Sequence, residues 1–140
     1  MKKLALLSLV ILFWSCSVSD DEEDFHLEIL PIMQVQVPDQ LVGGDVNRIT
    51  YTYRVPTNCH NFNNVYNIES GNQRTVAVVS LVTETTPGGL ECSPLTEETD
   101  ERAFDFLAPN GFSTMVFKFW LGEDEFGEDI YDTYEIPVVQ

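Results

Sequence analysis

Beyond residue 27 apolar residues recur at every second position, the spacing that lines one face of a half-buried strand. Ile49, Tyr51, Tyr53 and Val55 alternate with Thr50, Thr52 and Arg54. Met115, Phe117, Phe119 and Leu121 alternate with Thr114, Val116, Lys118 and Trp120. Ile130, Asp132, Tyr134, Ile136 and Val138 share a face of the last segment, Phe104 and Phe106 mark a shorter one, and Met33, Val35 and Val37 mark the first. Thr75 to Thr83 is nearly continuous in apolar residues and reads as the most buried strand. The pattern predicts about seven strands, at 29–37, 47–55, 64–69, 74–84, 101–108, 113–121 and 129–138, with 64–69 the weakest.

The segments are separated by residues with turn chemistry: Gly43-Gly44-Asp45, Gly71-Asn72, Pro87-Gly88-Gly89, Pro109-Asn110-Gly111 and Gly127. No stretch of useful length carries a helical period. Short strands at regular spacing without helices predict an all-β domain, a single antiparallel sandwich of the immunoglobulin-like or fibronectin-like kind. A jelly roll or a small barrel is the alternative.

The N-terminal region follows a different pattern. Met1-Lys2-Lys3 is cationic, and Leu4 to Trp14 is apolar throughout except for Ser8. Eleven such residues are too few for a permanent membrane helix, which takes about 20, and fit the core of a secretory leader. Ser15 and Cys16 follow at its end, then Ser17-Val18-Ser19 and the acidic run Asp20-Asp21-Glu22-Glu23-Asp24. A small residue before a cysteine at the end of a leader resembles the bacterial lipobox, although Phe13 and Trp14 stand where the lipobox usually has an aliphatic and a smaller residue. The resemblance implies cleavage before Cys16 and acylation of its thiol, a link to the membrane through lipid. An acidic run just after the cysteine is similar to the export signal of surface lipoproteins of the Bacteroidetes kind. It implies the outer membrane, extracellular face, as the address. The expected organisation is a signal peptide over 1–15, an acidic tether over 16–27 and the β domain over 28–140, the tether too charged to pack.

Charge and cysteines narrow the partners. The 140 residues carry 23 acids against 7 bases, a net charge of −16, and two of those bases lie in the leader. Such a field repels nucleic-acid backbones, so nucleic acid is excluded as a partner. Three cysteines leave one unpaired in an exported chain. With Cys16 acylated, Cys59 and Cys92 form the only pair, and both fall outside the alternating strands. The expected disulfide is a staple between loops rather than the buried inter-sheet bond of antibody domains.

Candidate chemistry is sparse, and the sequence predicts no catalytic residue, no metal and no cofactor. Of the two histidines, His26 borders the tether and His60 follows Cys59, which is expected to be oxidised and so lost as a ligand. No nucleophile-elbow sequence occurs. The segment from Glu123 to Asp129 is acidic but lacks the calcium-loop spacing, and reads as a solubilising hairpin tip. The richest segment runs from Thr57 to Asn67 and holds five asparagines. There Asn61, Phe62, Asn63, Asn64 and Tyr66, anchored by Cys59, are expected to form a loop suited to a glycan or a peptide. Trp120, alternating away from Phe117 and Phe119, is a second candidate. The expected function is a lipid-anchored, non-enzymatic binding or accessory module of the envelope. A periplasm-facing structural lipoprotein that contacts only protein is the first alternative, and a small hydrolase the second.

Overall fold

The computed structural model describes residues 25–140; the expected leader, Cys16 and the acidic run Asp20 to Asp24 lie outside the described residues. Nine strands form in chain order: β1 Phe25–Leu30, β2 Ile32–Gln36, β3 Leu41–Val42, β4 Val46–Arg54, β5 His60–Ser70, β6 Gln73–Thr83, β7 Thr99–Leu107, β8 Thr114–Glu123 and β9 Asp129–Val139. They make two open sheets, one of six strands and one of three in the order β2-β4-β7. The described residues contain no helix, the pairings are mostly antiparallel, and the small-barrel alternative falls because neither sheet closes.

Strand β6 organises the larger sheet. Along one edge it pairs with β5 through the hairpin Ser70-Gly71-Asn72-Gln73. Gly71 takes φ +62° at the first central position, which a tight hairpin of this kind reserves for glycine. The other edge of β6 is shared. Its C-terminal half, Val78 to Thr83, takes β1 antiparallel, and its N-terminal half, Gln73 to Val76, takes β8 in parallel. Strand β9 follows β8 as a hairpin partner, and the short β3 closes the sheet by pairing in parallel with β9.

The core lies between the sheets. Ile32, Ile49, Tyr51, Tyr53 and Phe106 from the smaller sheet face Leu30, Val76, Val78, Met115, Phe117, Phe119, Ile136 and Val138 from the larger. The two layers touch through Phe106 and Phe117, edge to face at 5.1 Å, and the aromatic contacts continue to Phe119 and Tyr134.

Several elements differ from the expected ones. The first strand divides at Pro31, which has no N–H for the ladder; β1 stays in the larger sheet and β2 crosses to the smaller. Phe25 to Leu27, assigned above to the tether, pair with Thr83 to Leu81. Leu121 does not continue the buried face of β8, because a bulge between Trp120 and Gly122 turns it outward, with Gly122 at φ +117°. The Asn-rich segment is a loop only up to Cys59, and from His60 it belongs to an edge strand. A second bulge, between Phe62 and Asn64, breaks its alternation, so the period of two is lost from the sequence while the strand persists.

Candidate functional site

The paired cysteines stand as the sequence implied. Cys59 and Cys92 form a disulfide with Cα atoms 5.6 Å apart, and Cys59 is fully buried. The bond ties the turn before β5 to the long connection 84–98. That connection is further docked by Asn58 N–H donating to Ser93 O, Leu95 N–H to Pro56 O, and Ser93 N–H to the Asn58 side chain.

The residues of the expected recognition loop are distributed rather than gathered. Phe62 points inward, half-buried beside Tyr53, with the Arg102 guanidinium 4.7 Å from its ring centre. Asn61 is exposed and donates through its side chain to Cys59 O, Asn63 occupies the bulge, and Asn64 Oδ1 accepts from Val65 N–H. Tyr66 lies on the opposite face of the strand from Phe62, 42% exposed. The bulge thus separates the two aromatic rings that the sequence placed together.

Near the disulfide, His60 Nδ1 is 2.8 Å from Thr57 Oγ1 and its Nε2 is 3.1 Å from Glu28 Oε2. A hydroxyl, an imidazole and a carboxylate in that order are the parts of a nucleophilic relay. Three amides at the tip of this turn are already engaged, however. Asn58 N–H is spent on Ser93 O, Cys59 N–H on Thr57 Oγ1 and His60 N–H on Thr57 O. The three groups fasten the turn to β1. In the neighbouring crevice, Asp100 accepts from Tyr53 Oη at 2.9 Å and from Arg102 Nε at 2.8 Å. Burial first, and then this hydrogen bond, hold the Tyr53 phenol well above its ordinary range.

A different cluster forms on the outer face of the six-stranded sheet. Where β1 ends and β8 takes over the edge of β6, a depression of about 400 Å³ opens. Its floor is Ala77, nearly buried, beside Thr75. Tyr66 from β5, Trp120 from β8, Tyr131 from β9 and Ile29 from β1 form its walls, and Glu123 and Asp129 close one end. The alanine makes the depression, since its outward neighbour on β6 is the larger Val79.

Trp120 and Tyr131 are paired across the β8–β9 hairpin. Trp120 Nε1–H donates to Asp129 Oδ1 at 2.7 Å, and Tyr131 Oη donates to Oδ2 at 3.3 Å. Both bonds orient the rings around one carboxylate. Desolvation and the adjacent Asp129 raise the Tyr131 phenol above its ordinary value. Lys118 Nζ lies 4.7 Å from the Tyr131 ring centre. The hairpin tip itself is structural: Asp124 Oδ1 accepts the N–H groups of Phe126 and Glu128. Among the described residues no three His, Cys, Asp or Glu side chains converge as a metal set.

Tyr66 and Trp120 were each marked by the sequence, but separately. Tyr131, Asp129 and Glu123 were missed as site residues. The available signal was the hairpin register, which sets Tyr131 opposite Trp120, with Asp129 two residues earlier on the same face of β9. In comparisons with known proteins, no protein family, no curated protein and no solved structure matches the chain.

Proposed function

We propose that this chain is a lipid-anchored bacterial envelope protein that acts as a non-enzymatic binding module, displayed on the extracellular face of the outer membrane. The observation that carries the binding role is the depression walled by Tyr66, Trp120 and Tyr131. Its volume falls within the ordinary range for small-ligand sites, about 300–1,000 Å³, and it combines apolar walls with a few oriented polar groups. The address rests on the Ser15-Cys16 junction and on the acidic run that ends immediately before β1. The finer fold reading is an immunoglobulin-like or fibronectin-like sandwich that departs from a purely antiparallel one in the parallel pairings of β6 with β8 and of β3 with β9.

The binding role is tested by exposing the tagged, detergent-solubilised chain to arrays of glycans and short peptides and mapping any hit by NMR. Perturbations centred on Tyr66, Trp120 and Tyr131, lost in Trp120→Ala with folding intact, are the expected result. Hits that map elsewhere, or none at all, end the assignment of the site.

The reading of a structural lipoprotein that contacts only protein draws on one observation of its own. Phe25, Leu27 and Ile29 form an exposed apolar stripe on the outward face of β1, 47–58% accessible. Crosslinking in intact envelopes distinguishes this reading, since it demands a protein captured through β1 whether or not the depression is filled.

A further inference from the structure

Resting on the binding role above, the structure assigns the depression to an organic cation: an ammonium or guanidinium group, either free in a small molecule or on a lysine or arginine side chain of a peptide. Four observations converge on that chemistry.

The first is the supply of polar groups. The charged side chains lining the depression are the carboxylates Glu123 and Asp129, its hydroxyls belong to Tyr66, Thr75 and Tyr131, and the Trp120 indole adds an N–H. Trp120 Nε1–H and Tyr131 Oη both donate to Asp129. A carboxylate or phosphate guest would face two carboxylates of its own sign. A cation needs only acceptors and negative potential.

The second is the walls. Aromatic faces carry negative potential and attract ammonium and guanidinium groups, tryptophan most strongly, and several rings with a carboxylate form the usual cage for such guests. The third is internal: the chain already sets the Lys118 ammonium against the Tyr131 ring at 4.7 Å. The fourth is the field. A chain with 23 acids and 7 bases concentrates cations at its surface and repels anions.

A volume of about 400 Å³ admits the head of such a guest, and the depression is open enough that affinity stays weak. Partly exposed cation–π contacts point to dissociation constants of about 0.1–10 mM for a single cationic group. A peptide with several bases gains from the surrounding charge, and its binding weakens with added salt.

The test uses the detergent-solubilised full chain labelled with nitrogen-15, read at the Trp120 indole N–H, a resonance identified by its loss in Trp120→Phe. The probes are choline, Nα-acetyl-lysine methylamide, Nα-acetyl-arginine methylamide, the uncharged choline isostere 3,3-dimethylbutanol, and a set of neutral monosaccharides. Saturable shifts with at least one cationic probe, and none with the isostere, are expected. Preference for choline points to a free quaternary ammonium, and preference for the lysine or arginine probe to a peptide. Glu123→Gln, which leaves the Asp129–Trp120 bond in place, should weaken binding about threefold or more, and Asp129→Asn by more, with melting temperature as the folding control.

Three results overturn the inference. If the isostere binds as well as choline, the depression is merely apolar. If only monosaccharides shift the indole, the binding role stands and the cation assignment fails. If the cationic probes, the isostere and the monosaccharides all leave the indole unmoved, while the array hits of the preceding section map elsewhere, both readings fail together.

Discussion

Reducing the Cys59–Cys92 bond should lower the stability of this protein by an amount that follows from its place in the chain. The bond closes a loop with a sequence separation of 33. In the chain-entropy account a loop of that size removes about 12–13 cal/mol/K from the unfolded ensemble, or about 3.7 kcal/mol at 25 °C. For a domain of this length each kcal/mol shifts the melting temperature by about 4 °C, so reduction should lower it by about 15 °C. In the folded state the connection 84–98 keeps its docking bonds: Asn58 N–H to Ser93 O at 3.2 Å, Leu95 N–H to Pro56 O at 2.9 Å and Ser93 N–H to Asn58 Oδ1 at 2.8 Å. The native fold should therefore survive reduction, and the loss arises in the unfolded chain. Thermal melts by circular dichroism, with and without reductant at equal ionic strength, measure the shift. Reduction is preferable to Cys59→Ala with Cys92→Ala, because Cys59 is fully buried and its removal adds about 1 kcal/mol of lost packing. A shift below about 4 °C, or loss of the native spectrum at 25 °C on reduction, would refute the reasoning.

The two core tyrosines should respond oppositely to loss of their hydroxyls. Tyr51 Oη is buried without a hydrogen-bond partner, so Tyr51→Phe should raise stability by about 1 kcal/mol in urea denaturation, whereas Tyr53→Phe removes a bond to the Asp100 carboxylate and should lower it by about 1.5–3 kcal/mol. Burial pushes the Tyr51 phenol up to about 12, while in the unfolded chain it ionises near its ordinary value of about 10. Its contribution is complete below about pH 10 and is lost as pH rises through the folded value, so alkaline denaturation curves should flatten in Tyr51→Phe. Gly122 at φ +117° has room for a methyl, 3.7 Å from Pro31, so Gly122→Ala should lose about 1–2 kcal/mol through backbone strain alone and should also move the Trp120 indole resonance. On the proposed anchoring, Cys16→Ala should leave an unprocessed or soluble product, and mass spectrometry of the membrane-extracted chain should find a diacylglyceryl cysteine as its first residue; an unmodified start elsewhere refutes it. If the acidic run directs display, replacing Asp20 to Asp24 by alanine should keep the lipid and protect the protein from protease added to whole cells.

Strands with unbroken alternation were legible in the sequence. β4 places Ile49, Tyr51 and Tyr53 inward and β8 places Met115, Phe117 and Phe119 inward, because each position has one face to choose and no irregularity intervenes. What escaped was set by single-residue irregularities and by pairing across long distances. Pro31 moves the chain between sheets, yet the apolar pattern on either side is continuous. Leu121 and Asn63 sit at bulges that reverse the facing of everything beyond them, and a period count has no means of placing an extra residue. Reading the Asn-rich segment as a loop put Phe62 and Tyr66 together; in the folded chain Phe62 lies under Arg102 and Tyr66 faces outward.

The depression exists for a reason no local pattern encodes. β6 shares one edge between two strands, and neither β1 nor β8 covers it fully. At the place where they meet, Ile29 on one strand and Trp120 on the other flank the small side chain of Ala77. The bulge before Gly122 belongs to the same junction, since Gly122 lies beside Pro31 where β1 ends. The site is thus a by-product of how the sheet changes partners, furnished by a hairpin whose acids do two kinds of work. Asp124 secures the tip by accepting backbone amides, and Asp129 orients two aromatic rings by accepting from both. β1 links this geometry to the proposed anchor. Eight residues separate Cys16 from Phe25, a reach of at most about 30 Å, and Ile29 is four residues further along the same strand. A guest held against Ile29 and Trp120 would then sit close to the membrane that carries the lipid. That is where a weak site gains most, because many anchored copies at one surface raise the effective concentration that a single shallow depression lacks.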